Sequence, residues 1–383
     1  MQPLYSNETG FIASIRKQNA TNFCQIRHLP SGFKIDLPQL AVSLRLDGQG
    51  RWISFRNESG FYRRCLNGSV VLAHQETFLS TKAYEELLRN IHEVVHIIIR
   101  DERLDDQQRK TFQQCLEHDT AFYRQQSELY RSVYPEDVPI LPPDRYRDLV
   151  VQPLIGCPNR ACTFCAFYKD KPFRVLTEQQ WQMHLSGIER LAGALPGDRD
   201  GVFIGSANAM ALSQRRLVAC LDSIEQKLGL LKRGIAAFSD PDYSVQRSQT
   251  QWQTLSEKGL VQLVVGLETG WGELRGKLGK AADLSKVYRA VKDYQSAGIS
   301  VGLTVLAGVG EVENAEEHRA ETCRWIEALN LGRSDKVYVS PLSENGHSSE
   351  FALREAERFQ DDLSEHSEAK VIPYQMQRFH YYC

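Results

Sequence analysis

Apolar positions change their spacing twice along the chain, and the changes divide it into three. In LAVSLRL (40–46), RWISF (51–55) and FYRRCLNGSVVLAH (61–74) apolar and polar residues alternate, the period of strands with one buried face. Asp47-Gly48 and Asn67-Gly68 fall at the bends, and such dipeptides are strong hairpin signals. From Ser80 the period becomes helical and predicts helices over about 80–101 and 105–133. Four prolines in VYPEDVPILPPDRYRD then mark a linker or extended lead-in. Residues 1–145 therefore read as an α+β region, strands before helices, serving as a cap or a recognition region.

From 146 to 345 short apolar runs alternate with helical stretches. The strand candidates are 149–155, 202–206, 234–239, 263–268, 301–309 and 336–342. Thr177 with Gln180, and Asn314 with Glu317, have the spacing of capping boxes. Near-continuous apolar strands followed by helices predict a parallel sheet covered by helices. The fold class expected is α/β, a partial (β/α)6 barrel, two units short of a closed eight-stranded one. Residues 346–383 read as a C-terminal helix and tail.

Composition narrows the function classes. The apolar share of 42% and charged share of 25% are those of an ordinary soluble chain. A formal net charge of −2 provides no global basic field for nucleic acid or anionic lipid. No run approaches the ~18 apolar residues of a membrane span. The start, MQPLYSNETG, lacks a basic-then-apolar signal, so the expectation is a cytoplasmic protein with no membrane association.

Cysteine usage points to chemistry. Of nine cysteines, Cys24, Cys65, Cys115, Cys220, Cys323 and Cys383 are scattered, which argues against a disulfide framework. Cys157, Cys162 and Cys165 lie within nine residues, directly after the first strand of the α/β region. Loops at the C-terminal ends of parallel strands carry the sites of barrel enzymes. Three soft thiolates suit an iron–sulfur cluster or zinc, and a redox pair would leave the third cysteine unexplained.

The segment GCPNRACTFCAFYKDKPFRV (156–175) resembles the cluster loop of the radical S-adenosylmethionine (radical SAM) superfamily, in the form with Cx4CxxC rather than CxxxCxxC spacing. The resemblance extends over about 146–345 and implies a [4Fe–4S] cluster on Cys157, Cys162 and Cys165, with one iron open to the amino and carboxylate groups of S-adenosyl-L-methionine. It implies an enzyme that cleaves the sulfonium reductively to a 5′-deoxyadenosyl radical, which takes hydrogen from a small-molecule or peptide substrate. A reductant such as flavodoxin or ferredoxin would supply the electron.

The resemblance also carries cofactor-contact residues. Phe164 stands where the family has an aromatic residue near the adenine. Gly205, Ser206 and Ala207 stand at a Gly-Gly-Glu-like motif whose glutamate is absent here, leaving backbone carbonyls or Asn208 to receive the amino group. Ser239 ends the third strand. Glu268, in Gly-Leu-Glu-Thr-Gly, would meet the ribose or amino group, with a salt bridge to Lys277 or Lys280 as the competing role. Leu306 opens Leu-Ala-Gly-Val-Gly-Glu, near the adenine, and ends on Glu311. No catalytic residue is singled out. The C-terminal thiol of Cys383 is a candidate to reach the barrel mouth. The other readings are a zinc-stabilised binding module and an iron–sulfur electron carrier without cleavage of the cofactor.

Overall fold

Side chains that alternate between buried and half-buried through Gly32–Leu37 and Val42–Asp47 can hide only one face of a sheet, and that face forms the first core. The computed structural model describes residues 24–73, 77–193, 199–205, 207–229, 231–310, 312–344, 347–375 and 379–383. They form two units. One comprises the described residues up to 133 with 187–193 and 380–383, and the other runs from 134 to 186 and from 199 to 379.

The first unit is an antiparallel meander in chain order: β1 (Gln25–Leu29), β2 (Gly32–Leu37), β3 (Val42–Asp47), β4 (Trp52–Asn57), β5 (Gly60–Arg64), β6 (Val70–Leu72) and β7 (Thr77–Phe78). The sequence pattern missed β1 and β2. Helices α1 (Thr81–Ile98), α2 (Asp106–Glu117) and α3 (Thr120–Val133) follow. Phe33, Leu44, Trp52 and Phe55 join Ile91, Val94 and Phe112 in one buried cluster, so the meander's inner face packs on helices. The single helix expected over 105–133 is broken, because the Asp119 carboxylate accepts the Phe122 N–H at 2.8 Å and starts a new helix. His118 stacks on Phe122 at the break.

Residues 381–383 also belong to this unit. Tyr382 bridges antiparallel to Cys65, the Leu66 N–H donates to the Tyr381 carbonyl at 2.9 Å, and the Cys383 N–H donates to the Arg64 carbonyl at 3.0 Å. The tail that carries Cys383 thus pairs its backbone with the end of β5.

In the second unit β8 (Leu149–Val151) and β9 (Leu154–Ile155) replace the single strand expected over 149–155, and Pro153 separates them. β9 pairs antiparallel with β10 (Arg174–Val175). Helix α4 (Glu178–Ala192) opens with the expected Thr177–Gln180 capping box, with reciprocal bonds of 3.0 and 3.2 Å. Then come β11 (Val202–Ile204), α5 (Gln214–Leu228), β12 (Ile235–Ser239), α6 (Gln249–Glu257), β13 (Leu260–Glu268), α7 (Gly272–Lys277), α8 (Ser285–Ser296) and β14 (Ser300–Ala307). After α9 (Ala315–Ala328) come β15 (Lys336–Pro341), a short hairpin of β16 (Ser343–Glu344) and β17 (His347–Ser348), α10 (Glu350–His366) and β18 (Lys370–Pro373). Asn314 makes no side-chain cap at α9, so the second expected capping box does not form.

The parallel sheet runs β8-β11-β12-β13-β14-β15-β18. The six expected strands are present, and the tail adds a seventh, paired parallel to β15. Its two end strands are unpaired with each other among the described residues, which is the open, partial barrel expected. The barrel is closed at the N-terminal ends of its strands by polar groups. Arg145 Nε donates to Gln262 Oε1 at 2.7 Å, Gln262 Nε2 to Tyr338 Oη at 2.9 Å, and Tyr338 Oη to Asp144 Oδ1 at 2.7 Å. Above them lies an apolar layer of Ile140, Val264, Tyr338 and Tyr374, with Phe167, Phe238 and Ile372 against it. The Tyr374 hydroxyl is buried there without a hydrogen-bond partner.

Candidate active site

The cysteine loop leaves β9 at Gly156, whose φ of +74° favours glycine. A side chain there would meet the Lys171 and Pro172 carbonyls at 2.9 Å. The Gly156 N–H donates to the buried Glu136 Oε1 at 2.9 Å, which fixes the loop's entry. Buried Asn159 organises the turn. Its Oδ1 accepts the Ala161 N–H at 3.0 Å, and its Nδ2 donates to Cys162 Sγ at 3.2 Å and the Gly279 carbonyl at 3.4 Å. The Thr163 N–H donates to the Leu278 carbonyl at 3.0 Å. Gly279, at φ +80°, lets the loop approach so closely that a Cβ would stand 2.0 Å from the Ala161 carbonyl oxygen.

Cys162 is buried, and Cys157 and Cys165 are half-buried. Burial pushes the Cys157 thiol up to about 12 and the Cys162 thiol up to about 11. Asp240 and the neighbouring cysteines contribute to that rise, whereas a backbone hydrogen bond from Asn159 opposes it at Cys157 and Lys280 opposes it at Cys162. Among the described residues no three His, Cys, Asp or Glu side chains converge closely enough to hold a metal ion. The fit to an iron–sulfur cluster therefore rests on donor chemistry: three soft thiols on one loop, within electrostatic reach of one another, of which Cys157 and Cys162 are costly to ionise unless a positive centre accepts them.

Beside the loop a lysine faces two carboxylates. Lys280 Nζ lies 3.3 Å from Asp240 Oδ2, 3.8 Å from Glu268 Oε1 and 3.0 Å from the Gly266 carbonyl oxygen. Thr304 Oγ1 donates to Glu268 Oε2 at 3.3 Å. Lys277 pairs instead with Glu273, at 3.1 Å. The strand carrying Glu268 is irregular: β13 slips by one residue against β14 between Gly266 and Glu268, and Glu268 has φ +66°. A non-glycine residue held there stores roughly 1–3 kcal/mol of strain, a cost common at functional sites. Gly266 leaves the room, since a Cβ would stand 2.7 Å from Glu268 Oε1 and 2.9 Å from Lys280 Nζ. Burial raises the Glu268 carboxyl above its usual range despite Lys280 and Arg275. Burial alone would lower Lys280, but Asp240 and Glu268 outweigh it and raise the ammonium. Fully ionised, the trio carries one excess negative charge, which suits a cationic ligand.

The other expected contacts divide. Phe164 packs against the cluster of Leu274, Leu278, Leu306 and Val309, so Phe164 and Leu306 share one apolar patch with Trp271. Gly205 holds the end of β11 by donating to the Val151 carbonyl at 2.8 Å, and a Cβ there would sit 3.4 Å from Gln152 Cγ. Ala207 is half-buried. Ser206 and Glu311 lie outside the described residues. Asn208 is fully buried, its Nδ2 donating to the Asp240 carbonyl and its Oδ1 accepting from Ser244 Oγ, each at 3.2 Å. Both its polar atoms hold the Asp240 turn. Ser239, expected to face a cofactor, shares a 2.9 Å bond with Tyr294 Oη of α8. The reason is strand alternation: Phe238 belongs to the inner layer, so Ser239 turns to the helices. Sequence reasoning named Lys280 only as a rival partner for Glu268. It missed Gly279, whose signal was a glycine one residue from that lysine.

Residues 151–326 match the family model described as the Radical SAM superfamily. No curated protein matches the chain. Among solved structures the chain is similar to the cobalamin-dependent S-adenosylmethionine radical enzyme OxsB, at 14% identity over 57% of this chain and 31% of that one, with a TM-score of 0.38. It is similar to methylornithine synthase (PylB), at 17% identity over 64% and 74%, with a TM-score of 0.41. It is also similar to coproporphyrinogen III oxidase (HemN) from Escherichia coli, at 17% identity over 63% and 54%, with a TM-score of 0.40. The chain spans about a third of the length of the first of these. No helix among the described residues is long and apolar enough to cross a membrane.

Proposed function

We propose that this chain, whose residues 151–326 match the model of the radical SAM superfamily, is a radical SAM enzyme that uses S-adenosylmethionine and a [4Fe–4S] cluster held on Cys157, Cys162 and Cys165. The observation that carries the reading is three soft thiols within nine residues of one loop, beside a buried pair of carboxylates that share a single lysine. When bound, the two cofactors supply one-electron cleavage of a sulfonium and a carbon radical that takes a hydrogen atom from the substrate.

The chain's own residues bind and position. Asn159, Gly156 and Gly279 shape the loop that presents the thiols. Asp240 and Glu268 receive a cationic group such as an α-ammonium, and Lys280 limits their charge to one excess unit. Phe164 and Leu306 give an apolar wall to an adenine. Gly205 and Ala207, just past β11, contribute backbone carbonyls, since both polar atoms of Asn208 are engaged in holding the Asp240 turn. The substrate is a small molecule or a peptide, and the electron donor is a carrier such as flavodoxin or ferredoxin.

Anaerobic reconstitution with iron and sulfide tests this. The expected result is a brown protein with four irons per chain that releases 5′-deoxyadenosine under dithionite, with cluster and product both lost in Cys162→Ala. A colourless protein with stoichiometric zinc, or a redox-active cluster without 5′-deoxyadenosine, would overturn it.

A further inference from the structure

Two buried side chains one helical turn apart on α9, His318 and Thr322, face the end of β13. Thr322 Oγ1 accepts the Gly270 N–H at 3.0 Å. It also lies 3.4 Å from Thr269 Oγ1, which accepts the Trp271 N–H at 3.0 Å. Gly270 lets the chain come this close, since a Cβ there would stand 2.7 Å from Thr322 Cα and 2.8 Å from Trp325 Cβ. The His318 imidazole donates to the Glu268 carbonyl, and its Nε2 is buried without a hydrogen-bond partner. Arg275 Nε donates to the Leu267 carbonyl at 3.3 Å. Buried side chains therefore grip the backbone before, at and after Glu268, whose φ is +66°.

We propose that His318 and Thr322 are positioning residues: they hold Glu268 in its left-handed conformation and so aim its carboxylate at Lys280 and at the cationic group of the cofactor. The inference rests on the function proposed above, in which Asp240 and Glu268 receive that group. A left-handed conformation at a residue other than glycine is unfavourable and persists only where the surroundings over-determine it. The ladder between β13 and β14 is irregular at this point, between Gly266 and Glu268, so the side chains of α9 supply the constraint instead. They do so at a cost, because His318 leaves Nε2 unpaired in the interior. An apolar residue would pack against Phe359 without that cost, but it would leave the Glu268 carbonyl unheld. Released from α9, Glu268 relaxes towards extended backbone and its carboxylate turns from Lys280. Glu268 meets the ligand through its charge, so the influence of α9 on binding must vanish when that charge is removed.

The test measures binding of S-adenosylmethionine to the anaerobically reconstituted full chain by calorimetry, with iron content and the urea midpoint as controls. Thr322→Val keeps the shape of the side chain and removes the acceptor of the Gly270 N–H. It should weaken binding about tenfold at unchanged iron content. Thr322→Ser keeps the hydroxyl and should restore binding to within about twofold of the wild type. His318→Phe should weaken binding to a similar degree. In the Glu268→Gln background, where binding is already weak, Thr322→Val should change it by less than about twofold. Wild-type affinity in Thr322→Val overturns the proposal. So does a full further loss in the Glu268→Gln background, the mark of a merely structural role. A chain that holds no cluster or binds no S-adenosylmethionine, or a Glu268→Gln variant that binds as tightly as the wild type, refutes the proposed function instead, and this inference falls with it.

Discussion

Lys280 Nζ stands 3.3 Å from Asp240 Oδ2 and faces Glu268 Oε1 at 3.8 Å, so one buried ammonium serves two carboxylates. Replacing it by methionine keeps the length and removes the charge. Breaking a buried pair by losing one partner costs about 3–5 kcal/mol. Lys280→Met should therefore lower the urea midpoint sharply at pH 8. Glu268 already titrates above its usual range in the fold, and loss of the lysine raises it further. A raised carboxyl binds its proton more tightly in the folded state, so folding regains stability as pH falls. The deficit of the variant should shrink from pH 8 to pH 5; a deficit independent of pH would contradict this.

Gly279 and Gly298 separate backbone strain from steric conflict. Both have positive φ, +80° and +75°. A Cβ on Gly298 would meet only Ser256 Oγ, at 4.0 Å, whereas on Gly279 it would stand 2.0 Å from the Ala161 carbonyl oxygen. Gly298→Ala should cost only the left-handed backbone penalty, about 1–2 kcal/mol. Gly279→Ala should cost more and push the cysteine loop away from the 278–280 segment. Denaturation of both variants, with iron content after reconstitution, checks this: Gly279→Ala should lose iron and Gly298→Ala should keep it.

Two tyrosines of the barrel's inner layer should respond in opposite ways to loss of the hydroxyl. Tyr338 Oη donates to Asp144 and accepts from Gln262, at 2.7 and 2.9 Å. Tyr338→Phe removes the acceptor of Gln262 Nε2 and one of the bonds of Asp144, which keeps Arg233, and should cost about 1–3 kcal/mol. Tyr374 Oη is buried with no partner, so Tyr374→Phe should be neutral or stabilising by about 1 kcal/mol. Thermal melts of the two variants give the comparison directly.

Long-period signals were legible in the sequence and short-range geometry was not. The six βα units announced themselves because a parallel strand buried on both faces must be apolar throughout. β18 was invisible because four residues, KVIP, carry too little pattern to distinguish strand from tail. Helices α2 and α3 read as one because their apolar stripes continue in phase across Asp119, and only its side-chain bond shows the break. In the site, the patch shared by Phe164 and Leu306 followed from the barrel class, since the C-terminal ends of its strands converge on one mouth although β8 and β14 are not neighbours. The bonds of Ser239 and Asn208 were not legible for a different reason. Their hydroxyl and amide are spent on Tyr294, Asp240 and Ser244, partners far away in sequence.

Acid sensitivity should have one traceable source in His318. This imidazole is buried on α9, packed edge-on to Phe359 with ring centroids 4.9 Å apart. Burial lowers it from 6.5 to about 4, Arg319 pushes the same way, and a hydrogen bond with the Glu268 backbone opposes them. The unfolded chain therefore binds a proton near pH 6.5 that the fold refuses until about pH 4. Stability from neutral His318 is complete above 6.5 and is lost as pH falls through that window. At about 1.4 kcal/mol per unit, the loss is on the order of 3 kcal/mol. His318→Phe preserves an aromatic ring against Phe359 and removes the titration. Urea midpoints from pH 7 to pH 4 should then fall less steeply in the variant than in the wild type, by roughly that amount. Parallel curves would mean that His318 takes up its proton in the folded chain as readily as in the unfolded one, which its burial forbids.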